Sequence, residues 1–120
     1  MKIAVLKERA PGEKRVAASP ETVKKFIALG NEFAVEAGSG EAAAISDDAF
    51  ADAGATIGDA RSSVMDADIV LAIQAPDVTL LEGAKPGAMV AALFDPFQKR
   101  DLVEAYAEFV RVFERRVRAL

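Results

Sequence analysis

The chain contains no cysteine and no histidine. Disulfide staples, thiolate nucleophiles and Cys/His zinc sites are therefore excluded. So are an imidazole general base and a Ser-His-Asp triad. No segment approaches the roughly 20 apolar residues of a membrane span, and no apolar leader run follows Met1-Lys2. The protein is expected to be cytoplasmic, without direct membrane insertion. There is no basic excess either. The net charge is −4 and the pI is near 4.9, which argues against general nucleic-acid binding. No calcium-loop spacing occurs, so no metal is expected.

What is present suits one folded domain. The 120 residues are 52% hydrophobic, enough for a single core. The run KIAVL (2–6) reads as a strand. Ser19 is a candidate N-cap with Pro20 at the first helical position. Val23, Phe26, Ile27 and the Ala28-Leu29 pair then recur at helical spacing, and Gly30 suits the stop. A second strand is expected near 32–36, leaving through a flexible GSG turn (38–40). Short helices are expected after Ser46 and over 59–66, with a short strand over 55–57 between them. Ile69–Ile73 is a continuous apolar run, the mark of a strand covered on both faces. A helical turn near 79–83 and a strand over 88–94 follow. This alternation predicts a three-layer α/β domain with a mostly parallel sheet, flavodoxin-like or Rossmann-like, with flanking helices.

Beyond Gln98 the pattern changes. Leu102, Tyr106, Phe109, Val110, Phe113, Val117 and Leu120 are spaced mainly by three or four residues. A long C-terminal helix is the favoured reading, although FVRVF (109–113) alone also reads as a strand. Four arginines and one glutamate lie in 109–120, and arginines late in a helix favour its C-terminal end. An exposed stripe through Phe109, Phe113, Val117 and Leu120 would favour a homodimer. The carboxylate pairs Asp47-Asp48 and Asp66/Asp68 are read as caps and solvated acids. Adjacency alone does not make an acid–base pair.

The ordered series MKIAVLKERAPGEKRVAASPETVKKFIALG, FAVEAGSG, ISDDAFADAGATI, ADIVLAIQAP and MVAALFDPF resembles a known family. It is that of the proton-translocating NAD(P) transhydrogenase alpha subunits and alanine dehydrogenases. The resemblance covers roughly residues 1–107, and IQAP and ALFDPF bring it closer to transhydrogenase. It implies that residues 1–120 form one α/β domain, the first of the family's two subdomains. It also implies a parent activity of hydride transfer between NADH and NADP⁺ coupled to proton movement. The family's NAD site lies on a second, nucleotide-binding subdomain bearing a Gly-rich fingerprint. No GxGxxG occurs here; GSGEAA (38–43) lacks the spacing. The resemblance therefore implies an oxidoreductase fragment with an altered C-terminus, no cofactor of its own and no catalytic residue.

Two cleft candidates follow from the resemblance. Arg15 matches the family's RVA arginine, which binds substrate carboxylate in alanine dehydrogenases; a guanidinium fork suits that partner. Gln74 matches the family glutamine. Lys7 and Glu8 match a family Lys-Glu pair. Ala72 stands where alanine dehydrogenases carry lysine, and their histidine is missing, so alanine oxidation is not expected. The alternatives are a self-associating assembly module and a small flavodoxin-like ligand-binding domain.

Overall fold

The computed structural model describes residues 1–93 and 117–119. The elements run in order β1 (Lys2–Val5), α1 (Pro20–Ala28), β2 (Glu32–Glu36), α2 (Asp47–Asp52), β3 (Thr56–Gly58), α3 (Ala60–Val64), β4 (Ile69–Gln74), β5 (Ala88–Leu93) and β6 (Val117–Ala119). Short 3-10 helices fall at Glu41–Ala43 and Val78–Leu81. All strand pairs among the described residues are parallel, in the spatial order β3-β2-β1-β4-β5-β6. That is the doubly wound Rossmann order, so the Rossmann-like alternative describes this sheet.

Alternation along β1 builds the core on both faces. Ile3 and Val5 join Val23, Phe33, Val35 and Phe50 beneath α1 and α2. Ala4 and Leu6 join Val64, Val70, Leu81 and Val90 beneath α3 and the second 3-10 helix. Period-two alternation with both sides apolar is what a covered parallel strand requires.

The helices start where the caps predict. Ser19 Oγ accepts the Thr22 N–H at 3.2 Å, and Pro20 opens α1. Ser46 and Asp59 likewise cap α2 and α3. The apolar stripe of α1 is shorter than its spacing suggests. The helix ends at Ala28, and Leu29 at the C-cap is 77% exposed. Its place in the i+3 series from Phe26 buries nothing, because the chain turns there into Gly30 at φ +92°.

The C-terminal expectation needs correction. Val117–Ala119 is a strand on the outer edge of β5, in register Ala88↔Val117 to Val90↔Ala119. The helix therefore does not run to residue 120. An open sheet edge offers unpaired backbone groups, and a short segment with β-branched Val117 satisfies them. The remainder of the expected helix, 98–116, lies outside the described residues. So do Phe109, Phe113 and Leu120 and the side chain of Val117, and with them the expected dimer stripe.

Candidate functional site

In a Rossmann-order sheet, ligands bind beyond the strand C-termini where the order reverses. Here that point lies between β1 and β4. The segment 6–19 leaves β1 there, and β4 ends beside it.

β4 carries a bulge at this end. Leu71 pairs with Ala91 and Gln74 with Leu93, so β4 has one extra residue. A bulge breaks the ladder and re-aims backbone groups. The successive N–H groups of Ile73 and Gln74 both donate to Glu8, to Oε2 and Oε1 respectively, each at 2.9 Å. One carboxylate from the β1 loop thus satisfies two donors that the ladder releases.

A second carboxylate ties the same loop to β2. Glu36, the last residue of β2, is buried. Its Oε1 accepts the Lys7 N–H at 2.9 Å, and Arg9 grips both of its oxygens through Nη1 and Nη2. The bidentate fork compensates for the burial of charge.

The third carboxylate brings the two sequence candidates together. Pro11 and Gly12 (φ +80°) form the centre of a tight turn closed by Glu13 N–H to Ala10 O at 3.1 Å. Pro followed by a positive-φ glycine is the type II pattern. The turn delivers Glu13, whose side chain is only 7% exposed, between Arg15 and Gln74. Arg15 Nη2 donates to Oε1 at 2.8 Å, and Arg15 Nε and its backbone N–H donate to Oε2 at 2.9 and 3.1 Å. Gln74 Nε2 donates to Oε1 at 2.9 Å. The Arg15 side chain holds the Glu13 carboxyl well below the usual range, helped next by Gln74. Glu13 in turn raises the Arg15 guanidinium.

Two cavities flank this loop. One of about 400 Å³ is lined by Lys7, Glu8, Glu13, Arg15, Ser39 and Glu41 among others. The other, about 190 Å³, includes Glu8, Ala72, Gln74, Pro76 and Leu80 in its lining. Ala72 is buried and brings no titratable group. Larger depressions occur elsewhere, between α3 and the Val78–Leu81 turn and beside Lys2 at the opposite sheet end. In the latter, Lys2 Nζ is committed to the Ser62 and Met65 carbonyls.

Among the described residues, nothing at the crevice resembles a phosphate cradle. Ser19 caps α1, and Glu21 places negative charge in its first turn, where a phosphate would need positive potential. Among the described residues no cluster of three or more His, Cys, Asp or Glu side chains is arranged to hold a metal. No helix among them is long and apolar enough to cross a membrane.

The sequence points Arg15 and Gln74 to one cleft, and they do meet. It does not announce Glu13, which joins them, or the Arg9–Glu36 clamp. The signal for Glu13 is local: a Pro-Gly turn followed by Glu-x-Arg puts both side chains on one side of an extended segment.

Comparison with known proteins fits this architecture. Residues 4–110 match the family described as alanine dehydrogenase/PNT, N-terminal domain. The chain is 46% identical over 112 residues to an NAD(P) transhydrogenase alpha subunit of Rhodospirillum rubrum, with 88% of the chain and 29% of that protein covered. It is 30% identical over 104 residues to alanine dehydrogenase 1 of Staphylococcus aureus, covering 87% and 28%. The crystal structure of transhydrogenase from Sinorhizobium meliloti superposes with a TM-score of 0.79 at 36% identity, over 89% of this chain and 32% of that one. The chain thus spans about three tenths of the length of these relatives. The chain belongs to the alanine dehydrogenase/PNT N-terminal domain family, and its homology is to the N-terminal domain of the transhydrogenase alpha subunit.

Proposed function

We propose that this domain serves a transhydrogenase-type alpha subunit as the first α/β subdomain. It is a scaffold that presents one wall of an interdomain cleft, with Arg15 and Gln74 at the lip. It binds no dinucleotide and transfers no hydride by itself. The observation that carries this reading is the filled switch point: Glu8 occupies the Ile73 and Gln74 N–H groups where a ligand would otherwise bind. Hydride chemistry needs a cofactor held against a second reactant, and these residues offer no such pair. Alanine oxidation is not supported either. Ala72 has no group to orient a carboxylate or move a proton, and the sequence has no histidine. The partner surface is the strand C-terminal side, met by a nucleotide-binding subdomain.

The test is direct. The purified 120-residue chain is titrated with NADH and assayed for NADH oxidation with an NADP⁺ analogue. No saturable binding and no protein-dependent oxidation are expected. Either one, at stoichiometric protein, overturns the reading.

A further inference from the structure

We propose that Glu13 is an internal ligand: its carboxylate fills, from within the chain, a carboxylate receptor made by the Arg15 guanidinium edge and the Gln74 amide. Vacating it opens that receptor to a small external monocarboxylate. This rests on the reading that Arg15 and Gln74 face the cleft, and adds how that site is regulated.

The geometry is that of a bound carboxylate rather than an ordinary surface ion pair. Four donors converge on the two Glu13 oxygens, three from Arg15 and one from Gln74, which is 61 residues away. A carboxylate has about four acceptor sites, so the set is complete. The donors are not equally immersed. The Glu13 side chain is 7% exposed and that of Arg15 is 60% exposed. Arg15 therefore borders the 400 Å³ cavity while its inner edge holds Glu13. The cavity also presents Lys7, Glu8 and Glu41. Glu8 is committed to the β4 bulge.

Glu13 lies only two residues from Arg15, so its effective concentration at the receptor is roughly millimolar or higher. An external carboxylate must compete against that. The loop has other anchors: Glu8 on β4, and the Arg9 and Lys7 bonds to Glu36. Removing Glu13 should therefore empty the receptor without releasing the loop.

The experiment uses propionate as the probe. Binding to the full chain is followed by the shift of the Arg15 Nε–H resonance in ¹⁵N spectra, for wild type, Glu13→Ala, Glu13→Gln and Glu13→Ala/Arg15→Ala. The backbone spectrum reports whether each variant folds. Glu13→Ala is expected to bind at least about tenfold more tightly than wild type, the internal competitor being gone. Glu13→Gln should fall between them. The double variant, followed through the Gln74 side-chain amide, should not bind. Equal binding by wild type and Glu13→Ala overturns the internal-ligand proposal but leaves the cleft reading standing. No binding by either overturns both. If Glu13→Ala does not fold, the same comparison rests on Glu13→Gln, and a Gln variant no tighter than wild type overturns the proposal.

Discussion

Glu8 holds two backbone N–H groups that no strand partner can take, because the β4 bulge has moved them out of the ladder. Removing an acceptor from part-buried donors costs more than the bond itself gains. Glu8→Leu should lower the unfolding free energy by about 2 kcal/mol. Glu8→Gln should recover part of this, since its single carbonyl oxygen still accepts. Urea denaturation of the three proteins checks the order; an unchanged midpoint for Glu8→Leu would show that water replaces the carboxylate. The role of Glu8 is not legible locally. Its partners are 65 and 66 residues away, and they become available only through a bulge in a run of apolar residues that reads as regular.

At the scale of elements, caps and periodicity carry most of the information. Ser19, Ser46 and Asp59 mark helix starts because their side chains answer a need within three residues. The GSG turn reads as flexible, but Gly40 is a packing residue. An added Cβ would lie 2.6 Å from the Ile45 carbonyl oxygen and 2.8 Å from the Phe50 ring. Backbone on one side and the fully buried Phe50 on the other leave little room to yield. Gly40→Ala should therefore destabilise by about 2 kcal/mol, read as a lower urea midpoint with an unchanged slope. No loss would mean that the Glu41–Ala43 turn shifts freely. The Glu36–Arg9 clamp is equally hidden: a glutamate ending a strand reads as solvated, and only the return of the loop buries it. The C-terminal strand is obscured by a real ambiguity, since a three-residue apolar–Arg–apolar segment fits either period.

For the molecule as a whole, acid stability follows from its carboxylates. Glu13, Asp59, Asp68 and Asp77 are all lowered. The leading causes are the Arg15 side chain for Glu13 and the backbone N–H groups of Ser62, Lys2 and Thr79 for the three aspartates. A lowered folded value means the unfolded chain takes up the proton first. These contributions are fully present above the ordinary values of 4.5 for Glu and 3.8 for Asp. They are lost as the pH falls through the folded values. The urea midpoint should thus stay flat from about pH 7 to 5 and drop progressively below about pH 4. A midpoint that holds steady down to about pH 3 would show these contacts to be energetically idle.

β1 sits at the centre of the sheet, yet its neighbours come from distant parts of the sequence. Ile3 pairs with Phe33 on one side and with Ile69 on the other. During synthesis β1 leaves the ribosome long before β4 exists. The β1-β2 pair must then wait with an open, apolar flank until residues near 69–74 emerge. Such long-separation pairing slows folding and exposes the nascent chain to aggregation. Chaperone capture is therefore most needed while β1 and β2 are outside the tunnel and β4 is not.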